Sequence, residues 1–250
     1  MRTVITGCIV FILMLAPASA WAVHPFVVED TNTQGKGNFL FELNGDYTKD
    51  NMFKTTNLTG VFRAGMSKNT DLSLEVPYLM LDPSPVTDQY ERGYGDVLLK
   101  MKWRIYENEV NQSAGFQFYT GMPTGNVDKG LGTNNVLIGF QLMDQQECRN
   151  NVLHVSLSYE SFVKHFAEDY AIRFGLALER KITGSFRVLA EVAGEIRKEA
   201  EGDHTARPFT FMTGVKYDIS KSWYVDLAAR AGLNKDAEDY TALAGIAWKF

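Results

Sequence analysis

The sequence predicts an all-β protein, a single closed antiparallel up-and-down transmembrane β-barrel of about 12 strands. Three observations predict it. Apolar and polar residues alternate along nearly the whole chain from residue 37 onward, the pattern of strands with one greasy and one polar face. Most alternating segments run about nine to eleven residues, the length that crosses a bilayer when tilted. Aromatic residues make up 12% of the chain and gather at the ends of those segments rather than in their middles, as a membrane interface selects. Helical i, i+3, i+4 spacing is hard to find.

The 250 residues begin with an export segment. Arg2 is followed by an apolar run from Val4 to Leu15, then by Ala18-Ser19-Ala20 and Ala20-Trp21-Ala22. A charged start, a short apolar core and an A-x-A ending read as a cleaved signal peptide over 1–22, with cleavage after Ala20 or Ala22. Cys8 belongs to that segment, so Cys148 is left alone and no intrachain disulfide is expected. Residues 23–36 show no alternation and form an N-terminal tail. The tail either hangs in the periplasm or folds into the lumen, and the sequence does not choose.

The barrel is expected over 37–250. Candidate strands lie at 38–47, 55–66, 70–78, 95–105, 113–122, 135–143, 151–159, 170–180, 185–196, 208–218, 223–232 and 240–250. In the first, Phe39, Phe41, Leu43 and Tyr47 share one face, and Glu42, Asn44 and Asp46 the other. In the third, Leu72, Leu74, Val76 and Tyr78 oppose Asp71, Ser73 and Glu75; in the fourth, Val97, Leu99, Met101, Trp103 and Ile105 oppose Lys100, Lys102 and Arg104. The last segment alternates through Tyr240, Ala242, Ala244, Ile246, Trp248 and Phe250. Longer connections such as 79–94 and 123–134 roughly alternate with short turns such as 67–69, 182–184 and 219–222, as in barrels with one external and one periplasmic rim. Tyr47, Tyr78, Tyr159, Tyr170, Phe209 and Tyr240 fall at outer ends; Trp103, Phe186, Tyr217, Trp223 and Trp248 fall at inner ends. Pro77 alone resists the scheme, because a closed barrel has no free edge for its missing donor.

Charge and composition narrow the function. The net charge of −5 and the absence of a basic cluster argue against a nucleic-acid partner. Outer-membrane lipid and a small-molecule solute are the expected partners. The terminal Trp248-Lys249-Phe250 resembles the C-terminal assembly signal of bacterial outer-membrane barrels, so Trp248 and Phe250 are expected to meet the barrel-assembly machinery in the outer membrane. The inward face carries Glu42, Arg63, Glu75, Lys100, Lys102, Arg104, Arg173, Arg187, Glu191, Glu195, Lys216, Asp226 and Arg230, with Asp71 and Gln117. These read either as a polar conduit that filters solutes or as a lumen tied shut by ion pairs. Lys100, Lys102 and Arg104 form three like charges at spacing two; Glu75 cannot neutralise all three. A locally positive stretch is therefore expected, unless carboxylates such as Glu191 or Glu195 reach across. Leu40, Val61, Leu98, Leu137, Leu189, Met212 and Leu243 share the face as packing, or less simply as a route for aromatic or hydrophobic solutes.

No catalytic, cofactor or metal set is expected. His154 and Ser156 share a strand face, a spacing also seen in outer-membrane phospholipases, but by parity they point inward and no third group to orient the histidine can be named. His24, His154, His165 and His204 are scattered without metal-ligand spacing. Gly130-Leu131-Gly132-Thr133 begins like a dinucleotide loop, yet lacks the third glycine and a following helix; it reads as a flexible surface loop.

The start from His24-Pro25-Phe26 through Thr31-Asn32-Thr33-Gln34-Gly35 resembles the opening of the outer-membrane barrel family labelled as the meta-pathway of phenol degradation. Leu74-Glu75-Val76-Pro77-Tyr78, Gly95-Asp96, and Pro123-Thr124-Gly125 leading to Gly130 and Gly132 extend that resemblance. It implies a barrel acting as a transporter of small solutes, and it names no catalytic residue. A non-conducting structural barrel, or an outer-membrane lipid hydrolase, stands as the alternative.

Overall fold

The computed structural model describes residues 24–50, 53–109, 111–165, 169–198 and 205–250. The signal-peptide reading, including Cys8, lies outside the described residues, as does the middle of the expected connection 197–207. The described residues hold fourteen strands: β1 (Phe39–Asp50), β2 (Phe53–Gly65), β3 (Thr70–Asp82), β4 (Glu91–Tyr94), β5 (Val97–Glu107), β6 (Gln112–Met122) and β7 (Leu137–Cys148). They continue as β8 (Asn151–Phe162), β9 (Tyr170–Lys181), β10 (Phe186–Lys198), β11 (Thr205–Ala206), β12 (Phe209–Asp218), β13 (Trp223–Gly232) and β14 (Tyr240–Lys249). All but β4 and β11 make the wall, each antiparallel to its neighbours. The wall closes where β1 pairs β14 from Leu40↔Lys249 to Lys49↔Tyr240. Closure satisfies the backbone groups that an open edge would leave bare in hydrocarbon.

The burial pattern is that of a membrane barrel and not of a soluble sandwich. On β1, Phe41 and Leu43 are exposed while Glu42 is 1% exposed; on β3, Leu74 is 39% exposed and Ser73 only 4%. Apolar side chains thus face outward and polar ones inward. Two aromatic belts flank this band. At one rim Tyr47 lies against Tyr240, Tyr78 against Tyr94, and Tyr159 against Phe140 and Tyr170. At the rim that bears the chain's C-terminus, Trp223 stacks on Trp248, Trp248 on Phe250, and Phe250 on Phe39. Phe39 and Phe250 also exchange both backbone hydrogen bonds, sealing the barrel at its last residue.

Several boundaries differ from the sequence reading. Strands run further at the outer rim, and the expected long loop 79–94 instead continues β3 to Asp82 and returns as β4, paired Tyr78↔Tyr94 to Leu81↔Glu91. The expected link 144–150 shrinks to a two-residue turn, because β7 and β8 pair down to Cys148↔Asn151, with Arg149 at φ +53. Pro77 is accommodated by a gap. The β3–β5 ladder ends at Glu75 and β4 ends opposite Tyr78, so no partner needs the missing N–H; the Pro77 carbonyl still accepts from the Gly95 N–H at 2.9 Å.

Candidate functional site

The lumen holds the N-terminal segment. From Gly37 at the inner rim, residues 24–36 fold back into the barrel and cross it, attached by side chains and not by strand pairing. Both carboxylate oxygens of Asp71 accept from the Gln34 N–H, at 3.0 and 2.9 Å, and Thr33 donates to the Lys68 carbonyl. Thr31 meets Ser113. Lys102 Nζ reaches Asp30 at 2.7 Å, Glu29 at 2.8 Å and the Asp30 carbonyl at 3.2 Å, while Arg63 stands 3.8 Å from Glu29. One oxygen of Glu191 accepts from the N–H groups of Val27 and Val28 at 2.7 and 2.9 Å. Arg230 donates to the Pro25 carbonyl. His24 bridges Asp226 at 2.7 Å and Asp46 at 3.0 Å. A segment without strand neighbours must find partners for its backbone groups elsewhere, and here wall carboxylates supply them.

These contacts resolve the positive stretch expected on β5. Lys100 pairs with Glu75 at 2.7 Å, Lys102 with the segment's Glu29 and Asp30, and Arg104 with Glu107 at 3.2 Å. The neutralising groups are therefore not Glu191 or Glu195, which serve the segment's backbone and Arg173 respectively. Elsewhere on the wall, Arg173 bridges Glu160 at 2.7 Å and Glu195 at 2.6 Å, and Arg187 pairs with Glu179 and Asp218. Glu42 accepts from the Tyr224 hydroxyl at 2.6 Å, and Lys216 lies 4.0 Å over the Tyr224 ring. Leu40, Val61, Leu189, Met212 and Leu243 are buried as packing between these polar rows.

The sequence reading missed His24, Glu29 and Asp30 as lumenal groups, along with Glu160 and Glu179. A usable signal was present: two adjacent carboxylates in the tail and three cations on one wall face are complementary charges. Their positions shift two titrations. Burial opposes ionisation of Glu29, but Lys102 and Arg63 outweigh it and lower its pKa to about 2. Burial likewise opposes the charge on His24, but Asp226 and Asp46 outweigh it and raise its pKa to about 9. A folded-state pKa above the ordinary 6.5 stabilises the docked segment fully below about pH 6.5, and that contribution is lost as pH rises through about 9. A ring-proton NMR titration of the refolded protein should place the His24 midpoint near 9. An unshifted midpoint would show that the two carboxylates do not hold it.

His154 is fully buried in the lumen wall, 6.0 Å from the Phe26 ring, and neither ring nitrogen has a hydrogen-bond partner among the described residues. Ser156 lies on the same inward face. A hydrolase that attacks lipid needs an outward pair and an oriented base, and this arrangement supplies neither.

Between the segment and the wall lies a cavity of about 290 Å³ in the outer half of the barrel. Phe26 and Val28 form one side; Gln117, Gln141 and Ser156 lie on the other. Gly139 makes space for the Tyr119 side chain, since a Cβ there would stand 2.3 Å from the ring. Tyr119 in turn donates to Glu160 at 2.9 Å.

The glycine motifs meet at the outer rim. Asp96, following Gly95, accepts from the N–H groups of Gly125 and Thr133 at 2.8 Å each and from the Thr133 hydroxyl at 3.0 Å. Thr124, after Pro123, donates to the Gly95 carbonyl. Gly132 is required by proximity, because a Cβ would lie 2.4 Å from Asp96. Gly130 adopts φ +72 and closes a one-turn helix at Val127–Lys129, while Leu131 is buried and Lys129 pairs with Glu91 of β4 at 3.1 Å. The stretch expected to be a flexible loop is thus pinned over the β3–β4 hairpin. Asp96→Ala removes hydrogen bonds worth roughly 1 kcal/mol or more each. Trypsin cleavage after Lys129 should accelerate by at least about tenfold; an unchanged rate would mean that Asp96 does not hold the loop.

A closed twelve-stranded barrel with a polar, segment-filled lumen has the fold that outer-membrane channels use. Residues 24–250 match the family described as "Putative MetA-pathway of phenol degradation", and the chain belongs to that family. Among solved structures it is similar to the COG4313 outer membrane channel from Pseudomonas putida F1, at 14% identity and TM-score 0.71, covering 95% of this chain and 100% of that one. It is also similar to the NanC porin, at 10% identity and TM-score 0.60 over 84% of this chain and 100% of the other. The KdgM porin follows at 13% identity and TM-score 0.54, over 84% and 99%. A comparison with curated proteins finds no match.

Proposed function

We propose that the protein is an outer-membrane channel for small solutes whose N-terminal segment narrows the lumen and sets what passes. The observation that carries this reading is the mode of attachment of residues 24–36. They are held across the lumen by ion pairs and single hydrogen bonds, without a backbone ladder, beside a cavity of about 290 Å³. The exposed apolar face meets outer-membrane lipid, and Trp248 and Phe250 engage the barrel-assembly machinery. Aromatic or hydrophobic solutes are the finer expectation, supported by the family description and by Phe26 and Leu98 beside the cavity. A second reading, a closed structural barrel, is favoured by the buried Lys102–Asp30 and Arg187–Glu179 pairs in the inner half.

Planar-bilayer recording on the refolded protein, with salts and aromatic solutes compared, separates the two. A small resolved conductance is expected. Silence in the parent and in a variant with a released segment would make the closed barrel the better account. Fractionation that finds the protein soluble in the periplasm would remove the location altogether.

A further inference from the structure

We infer that the cavity beside the N-terminal segment is a binding subsite for a neutral, hydroxyl-bearing single-ring solute, a reading that rests on the channel function proposed above. The hydrogen-bonding groups at its wall carry the inference. Gln117 donates one amide N–H to the Gln141 carbonyl at 3.3 Å, and no other side-chain hydrogen bond involves either residue among the described residues. That leaves the Gln117 carbonyl as an acceptor and the Gln141 amide as a donor. Ser156, one step inward on β8, adds a hydroxyl that has no partner among the described residues. All three residues are more than nine-tenths buried, at 3%, 8% and 6% exposure. Polar groups that face a cavity without a protein partner are ordinarily satisfied there by water or a ligand.

The size and charge of the cavity narrow the chemistry. About 290 Å³ is room for roughly ten waters. That lies at the lower limit of ligand pockets, enough for one ring and its hydroxyls. The Phe26 ring, brought in by the segment, supplies an apolar face for such a ring to lie against. Charged groups at the rim are already matched: Lys100 by Glu75, and Arg173 by Glu160 and Glu195. An ionic solute would have to break those pairs; a neutral one would not. The ring could be aromatic or saturated, since both present an apolar face and edge hydroxyls.

Saturation-transfer NMR on the full refolded protein in lipid vesicles tests this, with catechol, myo-inositol and benzoate as probes and protein-free vesicles as the blank. Binding of catechol or of myo-inositol is expected, and which of them binds identifies the source of the ring. Benzoate should bind at least about fivefold more weakly. Gln141→Ala and Ser156→Ala should each weaken binding about fivefold, the loss of one neutral hydrogen bond. Gln141→Asn, which withdraws the amide while keeping its polarity, should do the same if the alanine variant fails to fold. No binding of either neutral ring, equal binding of benzoate, or undiminished binding in the folded variants would overturn the subsite. Bilayer current recorded on the same preparations keeps the two readings apart. Current without ring binding removes the subsite and leaves the channel; ring binding without current in either the parent or a released-segment variant does the reverse.

Discussion

Replacing Lys102 with alanine is expected to release the N-terminal segment and raise the ion current through the barrel. Lys102 is 1% exposed and is the shared partner of Glu29 and Asp30; Asp30 is equally buried. Deleting one partner of a buried ion pair leaves an uncompensated charge and costs about 3–5 kcal/mol. Arg63, 3.8 Å from Glu29, is too far to take over Asp30's short bond as well. The barrel wall has little share in this loss, because its ladders, including the pairing of Lys102 itself with Asp71 and Gln117, are backbone hydrogen bonds that the substitution leaves in place. The cheapest relaxation is therefore for Glu29 and Asp30 to leave the lumen for water. The thermal midpoint of the barrel should change little, while conductance in planar bilayers should rise and exchange of the Val27 and Val28 amide protons should accelerate. Lys102→Arg retains the charge and should remain close to the parent. Unchanged current with slow amide exchange in the alanine variant would show that the segment is held by its other anchors alone.

Leu74→Arg is expected to block folding into lipid, whereas Tyr78→Arg on the same face of the same strand should be tolerated. Leu74 lies halfway between the two aromatic belts, four residues from Thr70, which pairs with Trp103, and four from Tyr78, which meets Tyr94. A guanidinium at mid-bilayer on the lipid face costs about 2–4 kcal/mol, against about 0–1 at the interface. Urea titration of the two variants in vesicles reads the difference directly. Equal stabilities would mean that this face does not meet hydrocarbon, and the outward apolar band would need another explanation.

The barrel itself was legible because its rule is local. Each strand declares its two faces with period two, so Glu42 against Phe41 or Ser73 against Leu74 assigns inside and outside without knowledge of any neighbour. Aromatic placement at Tyr47, Tyr78, Trp223 and Trp248 follows from the same parity. Strand ends were less legible: β3 reaches Asp82 and returns as β4 because it pairs a hairpin beyond the membrane, where alternation has no hydrocarbon to enforce it. Residues 130–135 looked loose for a related reason, since the group that pins them, Asp96, is remote in sequence.

The candidate site was legible only as a set of inward-facing charges. Their pairing was not, because partners across a lumen carry no sequence register. Lys100, Lys102 and Arg104 look like repelling neighbours along β5 with Glu75 beside them, and only the closed tertiary structure brings Glu29 and Asp30 to Lys102. Alternation decides on which side of the wall a residue stands. Where residues 24–36 go, and hence what fills the lumen, depends on charge complementarity between segments far apart in the chain, and that exists only once the barrel has closed.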